Sequence, residues 1–113
     1  MRIEAYDFGT IRIDGKTYTR DLKIIGGKVI ANWWRIEGHR ILIPDIEDVL
    51  EAKPDVLVVG TGAPGLMTVS EEVASRLAEL GIELVVKPTR DACDAFNRLS
   101  GGRNTAFAAH LTC

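Results

Sequence analysis

Residues 55–87 read DVLVVGTGAPGLMTVSEEVASRLAELGIELVVK, and this stretch decides the fold. It opens on DVLVVG (55–60), a continuous apolar run of the kind found in strands buried on both faces. SEEVASRLAELG (70–81) then follows a helical period. Ser70 is placed to cap it, Val73, Ala74, Leu77 and Leu80 form one stripe, and Gly81 suits the position just past the end. IELVVK (82–87) is a second apolar run, predicted as a second buried strand. Strand, helix and strand make a β-α-β unit, whose strands should be parallel and joined by a right-handed crossover.

Working outward, TRDACDAFNRLSGG (89–102) predicts another helix, capped by Thr89 and closed by Gly101-Gly102. Ala92, Phe96 and Leu99 share its inner face. NTAFAAHL (104–111) predicts a last apolar strand. Upstream of residue 44 the period is two. RIEAY (2–6) places Ile3 and Ala5 on one face. TIRIDGKTYT (10–19) turns at Asp14-Gly15, a strong hairpin signal because a type I′ turn needs positive φ at both central residues. LKIIGGKVIANWW (22–34) turns again at Gly26-Gly27, and HRILI (39–43) predicts a further strand ending at Pro44. Asp45 to Glu51 predicts a short helix with Asp45 as N-cap and an acidic first turn that suits the helix dipole. The expected class is α/β in three layers: a mixed central sheet, a β-α-β-α-β C-terminal half, and an antiparallel hairpin layer from the N-terminal half.

The 113 residues suffice for one domain with one core. Fourteen basic residues stand against 16 acidic ones, a net charge of −2. Duplex nucleic-acid binders carry a basic excess or stripe, so the balance argues against that class, although Arg35, His39 and Arg40 form a local basic cluster. Charge near neutrality leaves self-association weakly opposed, so a homo-oligomer is compatible. Two cysteines make no disulfide framework. The start MRIEAYDFG reads as neither a signal nor a transit segment, and no apolar run approaches the ~20 residues of a membrane span. A cytoplasmic location without membrane contact is expected.

Gly60-Thr61-Gly62-Ala63-Pro64-Gly65 reads formally as G-x-G-x-x-G after a strand. A dinucleotide site asks more. Its third glycine opens the helix and an acid ends the next strand. Here Leu66 to Val69 intervene before Ser70, and the next strand ends Lys87-Pro88. There is no Walker lysine, and no cofactor is expected. The plain reading is a strand-to-helix connection with glycines at positive φ. However, loops 60–65 and 88–91 should leave the same carboxyl edge of the sheet, where ligands of open α/β sheets bind. Gly60, Gly62 and Gly65 allow close backbone approach, Thr61 and Thr89 add hydroxyls, Arg90 adds a cation, and a helix dipole points there. A small anion or carboxylate fits this cleft.

Other residues are weighed against ordinary roles. His110 and Cys113 form H-x-x-C, but only His39 and Cys93 remain to complete a four-ligand zinc set and no spacing joins them, so no metal is expected. Cys93, early in a helix with Arg90 behind it, could be an activated thiol, or a buried small side chain in the helix stripe. Trp33 and Trp34 should face opposite ways, one into the core and one to solvent or a partner, with Trp34 as a candidate interface anchor; alternatively the outer indole packs under the acidic helix at 45–51 and is structural. Asp7 and Asp21 at strand ends read as turn-formers.

VVGTG (58–62), the Thr89 helix with Ala92 and Asn97, and the ending AAHLTC (108–113) resemble the uncharacterised small-domain family of the adipogenesis-associated Mth-domain protein and mitochondrial complex I assembly factor 3. The resemblance covers essentially the whole chain. It implies a three-layer α/β fold and places Gly60, Thr61, Gly62, Thr89 and Asn97 around a family cleft. It implies little chemistry, although some mitochondrial relatives act in complex assembly. The expected function is a non-catalytic binding or assembly module. The alternative is a small-molecule or anion binder, or an enzyme, using the 60–65/88–91 cleft.

Overall fold

A computed structural model describes residues 1–113. The N-terminal part gives β1 (Ile3–Asp7), β2 (Thr10–Ile13), β3 (Lys16–Tyr18), β4 (Leu22–Ile25) and β5 (Lys28–Ile30). A two-residue strand β6 (Arg40–Ile41), a 3-10 turn (Ile43–Ile46) and α1 (Glu47–Ala52) follow. The C-terminal part gives β7 (Val56–Thr61), β8 (Thr68–Val69), α2 (Glu71–Glu79), β9 (Glu83–Lys87), α3 (Thr89–Leu99) and β10 (Thr105–His110).

The central sheet has five strands in the order β5-β4-β10-β7-β9. β10, β7 and β9 are mutually parallel, β4 runs antiparallel to β10, and β5 runs antiparallel to β4 at the edge. The predicted β-α-β-α-β half and mixed sheet are therefore present. One apolar cluster joins the sheet to α3 and to the three-stranded sheet β1-β2-β3, and contains Ile3, Tyr6, Ile13, Phe96 and Phe107. The other joins its opposite face to α1, α2 and the 3-10 turn through Ile46, Val49, Leu57, Val73 and Leu77. Three layers result, with every residue of β7 and β10 buried between them. Phe96 meets Phe107 edge to face at 5.4 Å, the arrangement the ring quadrupoles favour.

Both hairpins turn where expected. Asp14 and Gly15 have φ of 47° and 82°, and Gly26 and Gly27 have 58° and 74°. Ser70 caps α2, its hydroxyl accepting from the Val73 amide at 3.2 Å.

Several expectations are corrected. A bulge shifts the β1–β2 register between Ile3 and Ala5, so Tyr6 rather than Ala5 joins Ile3 inside. HRILI contributes only β6, paired in parallel with β8 rather than with the N-terminal strands. Asp45 does not cap α1. It lies in the preceding 3-10 turn, where its carboxylate accepts from the amides of Leu42 (2.7 Å) and Ile36 (3.2 Å). β9 is not a strand buried on both faces but the sheet edge, half-covered by α2 and α3. Its apolar run reflects those two helices.

Candidate functional site

β7, β9 and β10 stop in register, with Gly60 beside Lys87 and Thr61 beside His110. Their continuations leave one rim of the sheet. Gly60, Thr61, Gly62, Gly65 and Thr89 all meet there. Thr89 is the hub. Its hydroxyl donates to the His110 carbonyl at 2.6 Å and accepts from the Gly62 amide at 2.8 Å, so one side chain joins all three strand ends. Thr89 is the first helical residue, fully buried, and the N-cap position belongs to Pro88. The predicted capping role is corrected accordingly: the hydroxyl serves the neighbouring strands, not its own helix.

The glycines serve close packing. A Cβ on Gly60 would lie 2.9 Å from the Thr89 hydroxyl, and one on Gly62, at φ +97°, 2.5 Å from the Thr112 carbonyl. The Ala63 amide donates to Thr112 at 2.8 Å and the Gly65 amide to Gly62 at 3.2 Å. The loop thus spends these N–H groups on the chain itself. Arg90 stands at the outer wall, largely exposed, 3.7 Å from Asp7 and 5.5 Å from the Tyr6 ring centroid. Asn97 is not brought to this rim. Eight residues along α3 is about 12 Å, and its amide instead binds both the amide and carbonyl of Ile3, at 2.9 and 2.7 Å.

Beside the glycine loop lies a cluster of Asp21, Arg35 and His110. Asp21 Oδ2 lies 2.8 Å from His110 Nδ1 and 2.9 Å from Arg35 Nη2, and Oδ1 accepts from the Leu111 amide at 2.8 Å. Arg35 Nε and Nη2 also donate to the Gly38 carbonyl, and the guanidinium lies 4.6 Å from the Trp33 ring centroid. Arg35 Nη2 also lies 3.2 Å from His110 Nδ1, but its two hydrogens go to the Gly38 carbonyl and Asp21, and a bare Nδ1 would face the carboxylate lone pair to lone pair. Nδ1 therefore carries the proton and donates to Asp21. In the neutral ring Nε2 is then an acceptor. Nε2 and Arg35 Nη1 are both buried and have no partner.

Asp21 is thus no turn-former, and its role was missed because its partners are far along the chain. The signal was the sheet order: Leu22 pairs with Ala109, which sets Asp21 beside His110. No group of three or more His, Cys, Asp or Glu side chains is arranged to hold a metal ion. Cys93 is buried, and burial pushes its thiol up to about 12, with Asp94 adding to the rise and Arg90 opposing it. The helix N-terminus does not activate it.

An open groove of about 640 Å³ runs past this cluster, lined by Arg20, Asp21, Asn32, Trp33, Trp34 and Thr112 among others. The hairpin strand predicted to run to Trp34 ends at Ile30, and over residues 31–39 a single bridge, Glu37 to Arg40, is all that pairs. Asn32, at φ 58°, turns the chain, and the Trp33 amide donates to the Asp21 carbonyl. Trp33 enters the core, 8% exposed, with its indole N–H on the Asp45 carbonyl at 2.9 Å. Trp34 stands 77% exposed. Phe8, Ile36 and Leu66 are also largely exposed, and the turn bearing Phe8 reaches this rim through a bond from the Gly9 amide to the Leu111 carbonyl.

A mixed five-stranded sheet between two layers, with a packed glycine rim and a largely polar groove beside it that carries Trp34, defines a small α/β domain. The chain belongs to the family described as a protein of unknown function (DUF498/DUF598), which matches residues 3–111. It is similar to a conserved hypothetical protein of Pyrococcus horikoshii OT3 at 28% identity, TM-score 0.89 and full coverage of both chains. A Bartonella henselae protein described as an outer membrane protein is 26% identical, with TM-score 0.82, covering 98% of this chain and 94% of that one. A Mth938-like domain of Bordetella pertussis shares the fold at 19% identity and TM-score 0.68, covering 97% and 85%. The Mth-type resemblance is thereby established. No helix here is long and apolar enough to cross a membrane.

Proposed function

We propose that this chain is a non-catalytic binding or assembly module that takes a protein partner at the rim groove, with Trp34 as anchor. The carrying observation is Trp34 itself, 77% exposed between two residues, Trp33 and Arg35, that are each buried and hydrogen-bonded. An indole held out on a fixed base covers large apolar area at small entropic cost, the property of interface hot spots. Phe8, Ile36 and Leu66 add exposed apolar surface. The non-catalytic reading rests on His110: Asp21 orients it as in a general base, but no hydroxyl or thiol meets its free Nε2. The test is quantitative affinity capture with wild type and Trp34→Ala, the variant first shown to melt like wild type. Proteins retained by the wild type should be lost from the variant. Equal recovery by both would overturn the reading.

A second reading rests on the unpartnered His110 Nε2 and Arg35 Nη1. Buried polar atoms without partners are costly, and a ligand supplying both a donor and an acceptor would satisfy them. We infer a small carboxylate or other anion bearing a hydroxyl, approaching beside loop 60–65, where Gly62 packs against the His110 ring. A ligand that binds only the native state raises its melting temperature. Thermal shift with phosphate, nucleotides and hydroxy acids tests it, and a flat response across the series would remove it.

A further inference from the structure

We propose that two copies of this chain pair antiparallel, edge to edge, through β9, about a two-fold axis at Val85. β9 is the longer free edge of the central sheet; the other edge, β5, has three residues against its five. Short edges are one way proteins block such pairing, and β9 lacks that protection.

The bonding parity is fixed by what β9 already binds. The Glu83 amide donates to the Asp55 carbonyl, and the Lys87 carbonyl accepts from Thr61 Oγ1 at 3.1 Å. Glu83, Val85 and Lys87 therefore turn their main-chain groups towards β7. Leu84 and Val86 turn theirs outward, since alternate residues of a strand address opposite neighbours. Only one register uses all four outward groups. With the axis at Val85, Leu84 of one copy bonds Val86 of the other, twice over. With the axis at Val86, Leu84 would meet Pro88, which has no N–H. With the axis at Leu84, Val86 would meet Ile82, whose N–H already serves the Leu77 carbonyl.

The side chains agree with that register. Glu83 of each copy, whose Oε1 is also held by its own exposed Arg103 at 3.0 Å, comes opposite Lys87 of the other, two complementary pairs across the seam. Val86, 45% exposed, lies on the same face as half-buried Leu84 and would be covered by Leu84 of the second copy. A lysine on an edge strand usually repels another edge. Here Glu83 at the matching distance from the axis turns that lysine into a recognition element for an identical chain.

Charge exchange tests the register. Lys87→Glu places acid opposite acid in a self-pair, and Glu83→Lys places base opposite base. Mixed one to one, they restore both complementary contacts. Sedimentation velocity over a micromolar-to-millimolar series should show wild type reaching twice the monomer mass. Each variant alone should stay at monomer mass and the mixture should regain the doubled mass, with far-UV circular dichroism unchanged throughout. A wild type that remains monomeric across the series, or variants that associate as wild type does, would overturn the proposal. So would a mixture that stays monomeric. Independently, Val85→Cys in a Cys113→Ser background should cross-link to itself on oxidation, because facing residues at a non-bonded antiparallel pair lie about 4.5 Å apart at Cα, within disulfide reach. Absence of that cross-link in a chain that sediments as a dimer would refute the β9 register.

Discussion

Replacing Asp21 by alanine should be among the most damaging single changes available outside the apolar core. The carboxylate is the only acid on Arg35, whose side chain is 5% exposed, and it also receives the protons of His110 Nδ1 and the Leu111 amide. Removing one partner of a buried ion pair leaves the other charge unpaired and costs about 3–5 kcal/mol. Asp21 keeps 17% side-chain exposure, and Arg35 retains the Gly38 carbonyl, so the expected loss lies near the lower end, about 3 kcal/mol. At roughly 2.1 cal/mol/K per residue, the unfolding entropy of 113 residues is about 0.24 kcal/mol/K, which converts the loss to a fall of about 12 °C in Tm. Urea unfolding followed by tryptophan emission is the assay, since Trp33 is buried and packs on Arg35 while Trp34 is solvated in both states. The midpoint should drop with little change in slope. Asp21→Asn should fall between, because an amide oxygen can still accept from Leu111. A loss below about 1 kcal/mol, the range of exposed pairs, would mean that the cluster is effectively solvated and that its unpartnered atoms meet water.

Other expectations follow from the same rim and from the core thiol. Thr89→Val removes the acceptor of the buried Gly62 amide and the donor to His110, so it should cost about 1–3 kcal/mol in chemical denaturation, whereas Thr89→Ser should be milder because it keeps the hydroxyl. Gly62→Ala combines a positive φ with a Cβ 2.5 Å from the Thr112 carbonyl, and should lower Tm and speed amide exchange at Ala63, which bonds that same carbonyl. Cys93 has its folded-state pKa raised from 9.0 to about 12, so the unfolded chain releases its proton first as pH rises. Its contribution therefore holds below about pH 9 and is lost between pH 9 and 12, at on the order of 1 kcal/mol per pH unit. Cys93→Ala should flatten that part of the stability profile. In the native protein at neutral pH an alkylating reagent should label exposed Cys113 and spare Cys93.

What the sequence made legible was local. Asp14-Gly15, Gly26-Gly27 and the Ser70 cap each act within a few residues, and each is found as read. The apolar runs of β7 and β10 were legible because burial on both faces leaves no polar alternation. β9 carries the same kind of run, yet it lies at an edge, because composition registers the helices above and below a strand and not whether a neighbour stands beside it. β6 was overextended because its partner, Thr68–Val69, is a two-residue strand inside what reads as a loop. Thr89 looked like a cap because caps and bridging hydroxyls use the same residue types. The Asp21–Arg35–His110 cluster had no local signature at all, since its members come from the approach to β4, the irregular 31–39 segment and the end of β10.

The place of β10 also has a consequence for assembly. In chain order it is the last strand, yet in the sheet it stands in the middle, so the β4–β5 hairpin and the β7–β9 pair share no ladder until it arrives. Nothing central can lock before the most distant sequence partners meet, a step that loop-closure entropy makes slow. A chain interrupted ahead of Thr105 would hold two unjoined half-sheets, each offering a bare apolar slot of strand width. Such a fragment should unfold without cooperativity, and should capture a synthetic peptide spanning residues 104–111 in place of the missing strand.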